Sequence, residues 1–263
     1  PNLTIISPLM FYKAENLSQI FAPCVEEIQD GYKKNYEYFG AFVGTKLQNA
    51  NFKSLKLVGK HAFQHCFLKY LNESNFPLIE KINDYGFYGN PVQSVHLPHL
   101  QTIGDYGFYD CVCNSLNLPN LIQAGKFTFY NCQFTFIDFP NLLVAGNSCF
   151  VNSMLQTAKL QQLKVAGNRC FSFCPLQKAN FPSLAAVGRE CFAGCDQLKE
   201  FSAPIRKIGA KSFKLCGKLE VLDLGDLVNG LEQDEIKEFG LDCDGECKLE
   251  KGCFVCGGRL GEC

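Results

Sequence analysis

LPHLQTIGDYGFYDC (97–111) and LPNLIQAGKFTFYNC (118–132) are one phrase written twice, 21 residues apart. The same spacing separates Phe87, Phe108, Phe129, Phe150, Phe171, Phe192 and Phe213, and again Phe42 and Phe63. Phe63 to Phe87 is 24 residues, a three-residue insertion. Nearer the start, PNLTIISPLMFY (1–12) matches PNLIQAGKFTFY (119–130), which makes Phe11 the anchor of a tenth unit lengthened by ten residues. Self-similarity at one short period marks a repeat architecture, in which each unit lacks a core of its own and stacked neighbours supply it.

Reading the units as columns explains the composition, 24 Phe and 16 Cys beside no Trp. Four residues before the anchor stand Gly59, Asn83, Gly104, Gly125, Gly146, Gly167, Gly188 and Gly209. Glycine and asparagine enter left-handed backbone most cheaply, so this column predicts a turn with positive φ. Three residues after the anchor stand Cys66, Cys111, Cys132, Cys174, Cys195 and Cys216, replaced elsewhere by Ala14, Thr45, Asn90 and Ser153. Thiol, hydroxyl and amide interchange where a compact buried group is wanted, not a covalent bond. The pattern L-x-x-L-x-L-P, as in VQSVHLP (92–98) and CNSLNLP (113–119), predicts one short strand ended by proline. The arm between glycine and cysteine has room for a turn or a brief helix. The expected fold is therefore a solenoid: a curved arc of about ten units over 1–227, with one short parallel strand per unit and turns or short helices on the opposite wall.

The units resemble leucine-rich repeats, through L-x-x-L-x-L in VQSVHL, CNSLNL and LEVLDL (219–224). The strand end L-P joined to I-G-x-x-x-F-x-x-C, as in 97–111 and FPSLAAVGRECFAGC (181–195), resembles the BspA-like repeats of bacterial and protist surface proteins. One departure is that the usual Asn or Cys after L-x-L is absent. The resemblance implies a non-enzymatic recognition solenoid, used in adhesion to host or matrix proteins or to other cells. It carries no ligand-binding residue over to this chain.

Outward residues of the strands form the expected ligand surface, here Asn49 and Asn51, Glu73 and Asn75, Ser94 and His96, Ser115 and Asn117, and onward through Phe136, Asp138, Lys159 and Lys178. Phe136 stands as a lone aromatic among Asp138, Asn117 and Lys159, either an interface anchor inside a polar rim or an inert exposed hydrophobe. The insertion before Phe42 holds Tyr32, Lys33, Lys34, Tyr36 and Tyr38. Those rings either contact a partner or cover the end of the array.

Other chemistries find little support. A net charge of −1 gives no basis for nucleic-acid binding. No apolar run reaches the ~18 residues of a membrane span, so no insertion is expected within this chain. His61 and His65 in H-A-F-Q-H lack the glutamate of a zinc-protease helix and read as a surface pair. No catalytic constellation and no cofactor is expected. The last segment, 228–263, breaks the period: LEQDEIKEFG (231–240) reads as a closing helix, followed by Cys243, Cys247, Cys253, Cys256 and Cys263. These five are disulfide candidates; the alternative is zinc held by Cys243, Cys247, Cys253 and Cys256, although their spacing fits no recognised zinc motif. Further repeats or a cap are expected before Pro1 and more cysteine-rich sequence after Cys263. Sequons at Asn2, Asn16 and Asn72 permit glycosylation along a secretory route. The functional expectation is a cell-surface or extracellular module that binds a protein or glycan through the strand face or the Tyr-rich loop. The alternative is a cytoplasmic interaction scaffold with a zinc-binding tail.

Overall fold

A computed structural model describes residues 3–230, 247–250 and 253–260, with 228–230 and the last two segments as backbone alone. The chain divides into two compact units, Pro1–Phe134 and Thr135–Cys263, each taken by itself below.

Both units are stacks of parallel β-solenoid turns. Each regular turn carries the expected three-residue strand, such as Ser94–His96, and a second strand of two residues just before the glycine, such as Thr102–Ile103. In the first unit the two-residue strands Lys81–Ile82, Thr102–Ile103 and Gln123–Ala124 pair in parallel; in the second, Val144–Ala145, Val165–Ala166, Ala186–Val187 and Lys207–Ile208 do the same. The register steps by one period, Thr102 opposite Gln123 and Val165 opposite Ala186. Two residues are too few to show alternation, which is why the second strand escapes a reading of the sequence. The opposite wall is built of turns, and a 3-10 helix, Gly225–Gly230, follows the last repeat strand.

The anchors form the core. In the first unit Phe42 and Phe63 stack at 4.9 Å between ring centroids, Phe63 and Phe87 at 5.0 Å, Phe87 and Phe108 at 5.5 Å, and Phe108 and Phe129 at 5.9 Å. In the second, Phe150, Phe171, Phe192 and Phe213 follow at 5.1, 5.2 and 5.5 Å. These are the one-strand steps of a parallel sheet, ~4.8 Å, transmitted to side chains. All are buried, so truncating one to alanine removes about 3–5 kcal/mol.

The glycine column does not do what its composition predicts. Positive φ falls two residues before the anchor, at Tyr85, Tyr106, Phe127, Ser148, Arg169, Glu190 and Lys211, and two after it, at Gly89, Asp110, Asn131, Asn152, Phe173, Gly194 and Leu215. Glycine stands in its column because successive turns touch there. A Cβ on Gly125 would lie 2.6 Å from both Asp105 Oδ1 and the Gly104 carbonyl carbon; one on Gly188 would lie 2.4 Å from the Asn168 nitrogen. The neighbouring column completes this seam. Asp84 Oδ1 accepts from the Asp105 amide (2.9 Å) and Asp105 Oδ1 from Lys126 (2.7 Å). In the second unit Asn147 serves Asn168 and Asn168 serves Arg189, both at 2.9 Å. Each side chain satisfies a backbone donor of the next turn.

The thiols behave as compact donors. Cys66, Cys111 and Cys132 donate to the carbonyls of Phe42, Phe87 and Phe108, one turn back, at 3.3, 3.4 and 3.6 Å. Cys174, Cys195 and Cys216 donate to Phe150, Phe171 and Phe192 at 3.0–3.1 Å. Where the column carries asparagine, Asn90 Nδ2 donates to the Phe63 carbonyl at 2.6 Å. Burial pushes the Cys66, Cys174 and Cys216 thiols up to about 12, and raises Cys111, Cys132 and Cys195 as well. A second buried column, Cys149, Cys170 and Cys191, directly precedes the anchors.

The insertions fall at corners. The ten added residues form an antiparallel hairpin, Tyr32–Lys34 with Glu37–Phe39, closed by Asn35 and Tyr36 at φ 49° and 65°. Positive φ at both central residues is the turn whose twist suits a two-residue hairpin. The three added residues follow the strand Tyr70–Leu71, which pairs with Ser94–Val95. The expected outward pair Glu73 and Asn75 is thereby corrected: Tyr70 takes the strand position, while Glu73 and Asn75 belong to the loop that accommodates the extra length. At the other end, strands Cys247–Glu250 and Cys253–Leu260 pair antiparallel, with Cys247 opposite Cys256, and the second pairs with Leu219–Asp223. The expected helix at 231–240, together with Cys243, Cys263 and Asn2, lies outside the described residues.

Candidate functional site

On the three-residue strands the middle residue points inward and its neighbours outward. Val95, Ile137, Ala158 and Ala179 are buried, while Asp138, Lys159 and Lys178 are exposed. The fold thus presents rows of side chains one strand apart, each row stepping by 21 residues.

In the first unit the structure brings His96 and Asn117 together. Asn117 Nδ2 donates to His96 Nδ1 at 2.7 Å, which leaves the Nε2 proton facing Glu73 Oε1 at 3.1 Å. The row is half-buried at Ser94 and His96 and exposed at Ser115 and Asn117, on strands in direct register. In the second unit Phe136, Asp138 and Lys159 converge. Phe136 is 47% exposed, and Lys159 Nζ sits 5.6 Å from its ring centroid while Asp138 is the register partner of Lys159. Lys178 is not part of that group; it forms an ion pair with Glu200 at 2.7 Å across the next pair of strands.

Tyr32 and Tyr36 sit on the hairpin and have different surroundings. Tyr32 stacks on Phe39 at 4.8 Å, and Phe39 in turn packs on Tyr12, so this ring covers the repeat beneath it. Tyr36, at the tip, is 93% exposed. Tyr38 leans on His61 and Tyr85. The expected surface pair His61 and His65 is half corrected. His61 is buried, with Nδ1 2.6 Å from Gln64 Oε1 and its ring stacked on Tyr85, whereas His65 is exposed and edge-on to Tyr88. Desolvation lowers the pKa of both imidazoles.

Among the described residues no group of three or more His, Cys, Asp or Glu is placed to hold a metal ion, and no helix is long and apolar enough to cross a membrane. Of the tail cysteines, Cys243 and Cys263 lie outside the described residues, and Cys247, Cys253 and Cys256 are placed by their backbone alone.

The model of the BspA type leucine-rich repeat region matches in six copies over residues 1–69, 80–199 and 164–239. The chain belongs to the BspA-type leucine-rich repeat family. Among solved structures, this BspA-type chain is similar to a leucine-rich cell surface protein of Faecalibacterium prausnitzii, at 12% identity and a TM-score of 0.51, over 78% of this chain and 69% of that one. It is also similar to a leucine-rich repeat protein of Bacteroides ovatus, at 17% identity and a TM-score of 0.40, over 85% and 75% of the two chains. The pneumococcal vaccine antigen PcpA matches at 13% identity and a TM-score of 0.40, over 82% and 74%. No curated protein sequence matches the chain.

One surface of this BspA-type protein is absent from the sequence reading. In the first unit, Tyr85, Tyr106 and Phe127 stack at 4.7 and 4.9 Å, and Tyr88, Tyr109 and Tyr130 at 5.0 and 4.8 Å. Burial pushes the Tyr85 phenol up to about 12. The signal was available in the columns two before and one after the anchor; in the second unit the first of these holds Arg169 and Glu190, paired at 2.6 Å, and the second Val151, Ser172 and Ala193, in place of aromatics.

Proposed function

We propose that this protein is a non-enzymatic recognition module of a cell-surface protein, with repeats over 1–227 and a cap and cysteine-rich segment over 228–263. It holds a protein or glycan partner on the outward residues of the three-residue strands, with the exposed tip of the 32–39 hairpin as a second contact. One observation carries the reading: inward positions of these strands are apolar and mostly buried, while outward ones hold mixed polar, charged and aromatic groups. A scaffold that fixes its core and leaves one row free suits binding, where affinity concentrates in a few anchored side chains.

In the second unit Phe136 is the anchor, with Lys159 over its ring and Asp138 at its side; a cation held over an aromatic face contributes about 0.5–1 kcal/mol at an exposed site. Surface-immobilised matrix proteins and a glycan array test the reading. Phe136→Ala should weaken capture about tenfold or more, the loss expected of an anchor. Capture that is unchanged by Phe136→Ala, Lys159→Ala, His96→Ala and Tyr36→Ala alike refutes the strand face and the hairpin tip together.

A further inference from the structure

The three-residue insertion leaves a cleft. The strands Gln19–Phe21 and Asn49–Asn51 pair with each other, and Tyr70–Leu71 pairs onward with Ser94–Val95, but Asn49–Asn51 and Tyr70–Leu71 share no ladder hydrogen bonds. Between them the extra residues turn out of line: Asn51 Nδ2 donates to the Ser74 carbonyl at 3.3 Å and the Phe52 amide to Asn75 at 2.8 Å. The resulting cleft, about 650 Å³, lies wholly within the first unit, in the size range of small-ligand sites.

Its lining is unusual in two respects. None of its eleven residues is charged, although 19% of the chain is. Six are amides: Gln19, Gln48, Asn49, Asn51, Asn72 and Asn75. Asn72 and Asn75 are committed to the loop, where Asn75 Oδ1 accepts from the Asn72 amide and Asn72 Oδ1 from Ser74, both at 2.8 Å. Among the described residues, Gln19, Gln48 and Asn49 make no side-chain hydrogen bond. Asn51 Oδ1 is enclosed and has no hydrogen-bond partner among the described residues. Beside the amides stand two exposed rings, Phe21 at 72% and Tyr70 at 52%. Register sets Phe21 directly opposite Asn51, and Gln19 opposite Asn49.

We propose that this cleft binds a neutral oligosaccharide. A sugar hydroxyl donates and accepts at once, and a side-chain amide offers both complements in one plane, so a cluster of free amides matches neighbouring hydroxyls. The C–H face of a pyranose is the apolar surface that an exposed phenyl ring can cover. No lining residue is a cation, and the neighbouring Lys53 ammonium is committed to the Ser74 carbonyl, so the cleft favours a neutral glycan over a sulfated, phosphorylated or sialylated one; with no deep apolar pocket it has no seat for a peptide side chain. The proposal rests on the recognition reading above and names the ligand class of one site within it. Asn72 also opens the sequon Asn72-Glu73-Ser74 at the cleft wall, so the protein for testing is made in bacteria, where that amide stays unmodified.

The full chain is applied to an array of neutral and acidic oligosaccharides, and hits are titrated by calorimetry. Binding of neutral glycans is expected, with affinity reduced about tenfold by Phe21→Ala and by Asn49→Ala, and unchanged by Met154→Ala, an exposed side chain of the second unit. Both changed residues are exposed, so thermal melts should match the parent. Absence of any neutral glycan ligand, binding confined to acidic glycans, or affinity indifferent to Phe21→Ala and Asn49→Ala overturns the proposal. Capture of a matrix protein that needs Phe136 but not Phe21 would leave the recognition module standing while this site fell.

Discussion

Gly167→Ala asks whether the glycine column exists for contact or for conformation. A methyl at 167 would lie 2.6 Å from the Asn147 nitrogen, 2.6 Å from Asn147 Oδ1 and 2.7 Å from the Gly146 carbonyl carbon, where ordinary contact starts at 3.4 Å. All three atoms belong to the preceding turn, held in place by Gly167 N–H to the Ala145 carbonyl and Asn168 N–H to Asn147 Oδ1, both 2.9 Å. To relieve the clash the turns must part by about 0.8 Å, which strains these bonds and forfeits part of the adjoining packing. Overpacking costs about 1–3 kcal/mol and a weakened hydrogen bond about 1 kcal/mol; the stiffer unfolded chain returns about 0.4–1 kcal/mol. The net is a loss near 2 kcal/mol, or roughly 4–8 °C in Tm for a chain of this size, read by differential scanning calorimetry. Gly167→Asn separates the two causes. Asparagine tolerates left-handed backbone, so a conformational cause makes it milder than alanine; a steric cause makes it no better. A Gly167→Ala variant as stable as the parent, or an asparagine variant clearly more stable than the alanine one, refutes the contact argument.

Phe108→Ala, which removes a buried ring between Phe87 and Phe129, should cost about 3–5 kcal/mol in denaturant unfolding; a loss below 1 kcal/mol would contradict a continuous aromatic core. The buried thiols make stability fall with alkali. Their pKa values are higher folded than unfolded, so the folded state holds more protons above pH 9; the contribution is complete below that pH and is lost as pH climbs toward 12. At pH 10 each of Cys66, Cys174 and Cys216 should cost about 1 kcal/mol, and a melting temperature flat from pH 8 to 10.5 would oppose this. Iodoacetamide at pH 8 should leave these three unlabelled in folded protein and label them after unfolding, as peptide mass spectrometry reads. Protein made without reductant should show its tail cysteines oxidised and no bound zinc; reduced tail thiols with one zinc per chain favour the cytoplasmic scaffold instead.

The period, the phenylalanine stack and the role of the thiols were legible because each is a column of like residues facing like residues. What stayed hidden depends on relations that a column does not encode. Gly104 and Gly125 look the same whether they supply positive φ or close approach, and only the neighbouring backbone of Asp84 and Asp105 decides. The aromatic pairs Tyr85–Tyr106 and Tyr88–Tyr109 span few units, too few to stand out against the longer columns. His96 beside Asn117 followed from register, whereas the departure of Lys178 toward Glu200 did not, since a salt bridge between long exposed side chains is set by rotamers. The cleft lay at the three-residue insertion, one of the two places where the period lengthens, and aligning across it put Glu73 and Asn75 on the wrong element.

Phe63 and Phe87 stack at 5.0 Å although 24 residues separate them, a distance no different from that of their regular neighbours. Length variation at the strand corner is therefore invisible to the aromatic spine, which keeps its cadence whatever the corner carries. A lineage or a designer could exchange residues 72–75 for longer or shorter segments and so reshape what the module grips, while the folding problem stays the same.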